Sequence, residues 1–356
     1  MKIAYAGGGT LGSVTPLLAI HESLSAEHGQ VDAIWFGTKS GPEKSLVNHA
    51  NIKFFAIEAG KLRRYFSLQT LWAPILLAIG FGQALLKLKK HKVDVVVSAG
   101  GYVSVPVGWA AKLLGIPLVI HQLDVRSTLS NKLLSRIASH ITVTFQGSVK
   151  DFPVKKVTVT GTPMRSKLLT SQKVKSIKMF DLDTDVPTLL VLGGGTGSTA
   201  INAAVISARS ELTKICQIVH VTGPKKLSKA EPASRYRPID LLSSSSELAD
   251  AYEVADLVLT RAGMGTLSEL AILGKPSIVV PMPNTHQEEN ANEFSKYKAA
   301  EIIPQNLLAD KLFVTVSDLL KDKTRLQKLS VNIKHIMPTD AATRIVGIIQ
   351  ALVSKT

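Results

Sequence analysis

The stretch AGGGTLGS at residues 6–13 recurs, nearly intact, as LGGGTGST at residues 192–199. Each copy ends a short apolar run and precedes a helical one. Glycines permit the tight turn and a close backbone approach, and the amides at the start of the following helix suit an anion. No other feature constrains the fold as tightly. Two such openings predict two doubly wound, Rossmann-like α/β domains. A ligand is then expected at the carboxyl ends of the strands, in the cleft between the domains. Convergent turn chemistry is the alternative, since glycines suit any tight strand–helix turn.

The intervening pattern fits the same reading. Strands are expected at Lys2–Ala6, Asp32–Gly37, Ile52–Ile57, Asp94–Ser98, Pro117–His121 and Ile141–Phe145. Helices are expected near Pro16–Glu27, Glu43–Asn48, Ser67–Lys90, Val105–Leu114 and Leu129–Ser135. This βαβ series implies a largely parallel sheet covered on both faces. The alternation fades in the polar, basic stretch 165–187, a linker or surface helix. It restarts after Pro187, with strands at Cys216–Val221, Leu257–Thr260, Ser277–Val280 and Glu301–Ile303 and a closing helix at Ala341–Val353. A chain of 356 residues accommodates two domains.

Lys and Arg number 42 against 27 Asp and Glu, a formal charge of +15. Such a balance favours a polyanionic partner: nucleic acid, an acidic membrane or a phosphorylated substrate. Zinc-finger spacing, a basic-zipper pattern and an aromatic–basic single-strand platform are all missing from the sequence, so nucleic acid is not expected. The histidines are scattered without metal-ligand spacing, so no metal is expected. Cys216, the single cysteine, lies in the apolar run ICQIVHV and reads as core. The opening MKIAYAGGG runs straight into a strand and shows no signal-peptide anatomy.

Several stretches carry candidate chemistry. The first loop, with Thr10 and Gly12, lacks the lysine of a P-loop, and no acidic residue ends the second strand as a dinucleotide site requires. Pyrophosphate or sugar-phosphate contact stays open beside a plain turn. The second loop offers the same amides at Gly195 and Gly197, with the Thr196 hydroxyl. In RAGMGTLSE, Gly263 and Gly265 lead to a helix near Thr266. Glu269 suits either a helix cap or the paired hydroxyls of a ribose. The segment HQEENAN at 286–292 is a binding loop or a solvated one. His121 closes a strand, with Gln122 and Asp124 just beyond it; it reads as a core hydrogen-bonder or, with that nearby carboxylate, as a functional residue. Finally, Ser67–Leu86 holds 20 consecutive uncharged residues. That length just reaches a membrane span, but the segment carries polar residues and fills a helix slot in the βαβ series. Arg63 and Arg64 precede it, and Lys87, Lys89, Lys90 and Lys92 follow. A helix lying on an anionic membrane surface is expected, with an ordinary buried helix as the alternative.

Together these motifs resemble the MurG family of glycosyltransferases (family 28). The resemblance rests on the order and spacing of GGGTLGSVTP, GGYVSVP at 100–106, HQLDVRSTLSNKLL at 121–134, GTPMR at 161–165, GGGTGS at 193–198, HVTG at 220–223, RAGMGTLSE at 261–269 and HQEENA at 286–291. It implies a GT-B fold, with residues 1–163 holding the acceptor and facing the membrane. Residues 164–340 would bind the UDP-sugar, and the helix in 341–356 would cross back to the first domain. The implied reaction is metal-independent, inverting transfer of N-acetylglucosamine from UDP-N-acetylglucosamine to the C4 hydroxyl of undecaprenyl-diphospho-N-acetylmuramyl-pentapeptide, with no other cofactor. Glu269 would hold the ribose. The loop containing Gly195, Thr196 and Gly197 would approach the nucleotide and its phosphates, together with Arg261, Gly263, Gly265 and Thr266. Arg165, His286 and Gln287 would sit near nucleotide or sugar. Thr10, Gly12 and Asn131 complete the implied substrate contacts, and Ser13, His121 and Asp124 the implied catalytic set. Further expectations are a peripheral place on the cytoplasmic face of the membrane and envelope-assembly proteins as a candidate class of partner.

Three departures from the family stand out. Its first loop usually reads GGTGGH, with histidine where Ser13 stands. Its acceptor motif usually reads HEQN, where this chain has HQLD. Its second loop usually contains SQG. Asp124 is therefore the expected base. A MurG-like enzyme with another sugar donor or glycolipid acceptor, or a weakly active membrane-binding homologue, is the alternative.

Overall fold

A computed structural model describes residues 1–41, 43–60, 72–164, 173–194, 197–224, 226, 233–242 and 244–355. Contacts divide the chain into two units, Met1–Arg165 with Met337–Thr356, and Ser166–Ile336.

In the first unit, apolar runs of three to six residues form strands, and the longer segments between them form helices. The order is β1 (Lys2–Ala6), α1 (Thr15–His28), β2 (Asp32–Gly37), α2 (Glu43–His49), β3 (Lys53–Ala56), α3 (Ala73–His91), β4 (Val95–Ser98), α4 (Ser104–Leu113), β5 (Leu118–Gln122), α5 (Leu129–Ser135), β6 (His140–Val143) and β7 (Val157–Val159). The strands pair in parallel in the order β3-β2-β1-β4-β5-β6-β7. Alternate side chains of one strand serve opposite cores. Ile3 and Tyr5 pack with Trp35, Val95 and Val97 on one face. Ala4 and Ala6 pack with Phe36, Val96 and Ile120 on the other.

The second unit repeats the plan with α6 (Lys173–Phe180), β8 (Thr188–Leu192), α7 (Thr199–Ile215), β9 (Gln217–Val221), β10 (Tyr236–Ile239), α8 (Ser245–Val254), β11 (Leu257–Arg261), α9 (Met264–Leu273), β12 (Ser277–Val280), α10 (Gln287–Lys296), β13 (Glu301–Ile302), α11 (Leu308–Lys321) and α12 (Lys323–Lys334). Its parallel sheet runs β10-β9-β8-β11-β12-β13. Cys216 is buried in its core, and burial pushes the thiol up to about 12. The chain then returns to the first unit. α13 (Ala341–Val353) buries Ile345, Val346 and Ile349 in the same core as Ile3 and Tyr5. Three such side chains contribute about 5–9 kcal/mol of burial, enough to hold the helix there.

The sequence pattern passes over two strands. β7 is three residues long and half-exposed at the sheet edge. β10 is also an edge strand and contains Pro238, which weakens its strand signal. α3 begins at Ala73, and Lys61–Leu71 lies outside the described residues. Gly80 lets α3 pass against the Glu58 carbonyl, where a Cβ would overlap it. The outer face of α3 leaves Ile75, Ile79 and Leu86 exposed, with Trp72 just before it and Lys87, Lys89 and Lys90 at its end. Among the described residues no helix is long and apolar enough to cross a membrane.

Candidate functional sites

Each unit gathers its candidate residues at the carboxyl ends of its central strands.

In the first unit the loop after β1 is held from behind. Trp35 Nε1 donates to Gly7 O at 2.8 Å. The fully buried Glu43 carboxylate accepts from Gly9 N at 3.2 Å, Thr38 N at 2.6 Å and Thr38 Oγ1 at 2.5 Å. A Cβ on Gly8 would overlap that carboxylate, so glycine is required by packing there. Glu43 opens α2 in the sequence and there reads only as a helix-start acid, so pattern alone does not reveal its role. Ser13 is 6% exposed. Its hydroxyl lies 3.4 Å from Gly8 O and 3.2 Å from Thr10 O and donates to these carbonyls. Thr10 is exposed and Gly12 half-buried.

The acceptor motif after β5 closes on itself. Gln122 Nε2 donates to Asp124 O at 2.8 Å and Arg126 O at 3.1 Å, while its Oε1 accepts from Thr128 N and from Asn131 Nδ2. Gln122 thus fixes the turn that carries Asp124, a half-buried side chain. Asn131 is fully buried, and Nδ2 also donates to His121 O at 3.0 Å. Among the described residues its Oδ1 has no hydrogen-bond partner. His121 is equally buried, with Nδ1 3.0 Å from Thr142 Oγ1. Burial pushes its imidazole down to about 3. That is a neutral ring inside the sheet at physiological pH, not a base at its edge.

In the second unit the glycine loop after β8 turns through Gly194 and Gly197, both at positive φ. A Cβ on Gly197 would overlap Thr222 O. Ser198 caps α7, its Oγ accepting from Ile201 N. Gly195 and Thr196 lie outside the described residues, as does Arg165. Arg261 braces this loop. Its Nε donates to Ser198 Oγ at 3.0 Å, Nη1 to Val280 O and Pro281 O, and Nη2 to Gln305 Oε1 at 2.6 Å. The guanidinium is spent on protein acceptors and ties together the ends of β11 and β12.

Gly263 is the N-cap of α9, with no side-chain cap on the first amides. A Cβ at Gly263 or Gly265 would meet open space, so the protein's own packing does not demand glycine at either position. Backbone amides at a helix N-terminus without a side-chain cap are suited to an anionic ligand. Glu269 lies one turn further on, half-buried. Tyr252 Oη donates to its Oε2 at 2.6 Å. Burial pushes the Glu269 carboxyl up to about 7, against the pull of that hydrogen bond. Thr266 lies on the same α9 turn. The segment after β12 is cross-linked to this region, since the buried Asn290 donates to Ala262 O at 3.1 Å. His286 precedes α10 half-buried, and Gln287 Oε1 accepts from Met282 N at 3.0 Å. Sequence reasoning misses Tyr252. It sits in a helix interior 17 residues from Glu269 and meets it only through tertiary packing.

Comparison with known proteins gives a consistent result. The model of the glycosyltransferase family 28 N-terminal domain matches residues 3–143, and that of its C-terminal domain matches residues 188–345. A Legionella pneumophila protein named UDP-N-acetylglucosamine–N-acetylmuramyl-(pentapeptide) pyrophosphoryl-undecaprenol N-acetylglucosamine transferase is 36% identical over 356 residues, covering 98% of this chain and 96% of that protein. A Bacillus licheniformis protein of the same name is 32% identical, covering 99% of each. The crystal structure of Acinetobacter baumannii MurG superposes with a TM-score of 0.76 at 26% identity, covering 98% of this chain and 99% of that one. A Neisseria meningitidis UDP-GlcNAc 2-epimerase, solved with UDP-GlcNAc bound, shares the fold at 16% identity and a TM-score of 0.71, covering 99% of this chain and 100% of that one.

Proposed function

The chain belongs to glycosyltransferase family 28, and from that premise we propose that it transfers N-acetylglucosamine from UDP-N-acetylglucosamine to the C4 hydroxyl of undecaprenyl-diphospho-N-acetylmuramyl-pentapeptide. The transfer inverts the anomeric centre and supplies the lipid-linked disaccharide of peptidoglycan synthesis. The observation that carries the proposal is the match of both halves, over 98% of the chain, to relatives named for this reaction. The α9 region adds chemical support: a half-buried carboxylate beyond uncapped amides fits a ribose beside a diphosphate.

In this reading the second unit binds the donor. Glu269 accepts the ribose hydroxyls. Amides of the loop after β8 and the positive end of α9 stabilise charge on the departing UDP. Arg261 keeps that loop in place, and Gln287 and His286 lie beside the sugar. The first unit binds the acceptor, with its diphosphate against the first glycine loop near Thr10 and Gly12. Asp124 takes the proton from the C4 hydroxyl as its oxygen bonds to the anomeric carbon. The bond from that carbon to UDP breaks on the opposite side. Ser13 and His121 shape the acceptor loops from buried positions, the Ser13 hydroxyl donating to backbone carbonyls and His121 Nδ1 paired with Thr142 Oγ1. The exposed apolar face of α3, with Lys87, Lys89 and Lys90, meets the anionic surface of the cytoplasmic leaflet.

Radiolabel transfer from UDP-N-acetylglucosamine to the lipid-linked muramyl-pentapeptide tests the proposal. Labelled disaccharide product supports it. Robust transfer to a different glycolipid, with none to this one, would replace it with the altered acceptor chemistry that Ser13 and Asp124 also suit.

A further inference from the structure

We propose that Tyr252 is the positioning residue for the nucleotide-binding carboxylate: from α8 its hydroxyl fixes one oxygen of Glu269 on α9 and leaves the other for the ribose. The proposal rests on the reading of Glu269 as the ribose acceptor. Two observations support it. The Oη–Oε2 distance of 2.6 Å is that of a charge-assisted O–H···O⁻ bond. Tyr252 is 1% exposed, so water does not compete for the contact. The phenol turns its single hydrogen towards Glu269 and so orients the carboxylate.

Among the described residues Tyr252 is the only group that hydrogen-bonds this carboxyl. Burial and the tyrosine act on it as opposed influences. The phenol itself is held well above its usual range by burial and by the adjacent carboxylate, so it stays a donor throughout the working pH range. A hydrogen bond to an ionised carboxylate shifts its ionisation equilibrium by roughly tenfold or more.

The test is calorimetric titration of the full chain with UDP and with 2′,3′-dideoxy-UDP, from about pH 6.5 to 9.5, using wild type, Tyr252→Phe and Glu269→Gln. Tyr252→Phe is expected to move the pH midpoint of UDP binding upward by about one pH unit or more. UDP affinity then falls about tenfold at neutral pH and recovers at the alkaline end, while dideoxy-UDP affinity stays within about twofold. UDP binding like wild type at every pH would overturn the proposal, as would equal weakening for both nucleotides at every pH. Weakened UDP binding by Glu269→Gln beside an unaffected Tyr252→Phe removes the positioning role and keeps the ribose reading. Undiminished UDP binding by Glu269→Gln overturns both.

Discussion

Replacing Glu269 with glutamine removes an ionisable group while leaving its volume, its helix and its tyrosine partner in place. Burial lifts this carboxyl from 4.5 to about 7. At 1.36 kcal/mol per pH unit, that displacement corresponds to about 3 kcal/mol. The sign follows from proton linkage. The folded chain binds this proton more tightly than the unfolded chain, so the contribution to stability is fully present below about pH 4.5. It is lost as pH rises through about 7. The wild type therefore carries the penalty at pH 8.5 and escapes it near pH 4.5, whereas Glu269→Gln is free of it at both. Thermal denaturation should show nearly equal midpoints for the two proteins at low pH. At pH 8.5 the variant should melt roughly 5–10 °C higher. Its affinity for UDP should fall about 10- to 100-fold, because hydrogen bonds from ribose hydroxyls to an ionised acceptor are worth about 1.5–3 kcal/mol. A stability difference that is flat with pH, together with undiminished UDP binding, would refute the reasoning.

Asp124→Asn should cut turnover by about 10²- to 10⁴-fold while the donor KM moves less than threefold, read from initial rates at saturating acceptor. Glu43→Ala orphans the amides of Gly9 and Thr38 and the Thr38 hydroxyl. Urea unfolding should show a loss of about 2–4 kcal/mol. Neutralising Lys87, Lys89 and Lys90 together should weaken sedimentation with anionic liposomes, and wild-type binding should fall as salt rises. Binding that ignores both changes would remove α3 as the membrane contact.

Residues that act through their local chain were legible in the sequence. The glycine turns after β1 and β8 show in the pattern because an apolar strand, small residues and a helix start are contiguous there. The helices at Leu129–Ser135 and Ala341–Val353 fall where their periodicity places them. Residues that act across the fold were not legible. Glu43 reaches back to the loop after β1, Tyr252 reaches from α8 to α9, and Arg261 spends its guanidinium on three other segments. No local spacing encodes such contacts. His121 shows the opposite limit. A histidine at a strand end reads either as chemistry or as a core hydrogen-bonder, and burial favours the second for His121. β7 and β10 were hidden because short edge strands carry little hydrophobic alternation, and Pro238 further masks the second.

The central claim is that the second unit grips the nucleotide of an activated amino sugar through Glu269. A crystal structure with UDP-N-acetylglucosamine bound tests it most directly. The account predicts both ribose hydroxyls within hydrogen-bond reach of the Glu269 carboxylate and the diphosphate against the first turn of α9. A nucleotide bound elsewhere, with Glu269 still paired only to Tyr252, would contradict it.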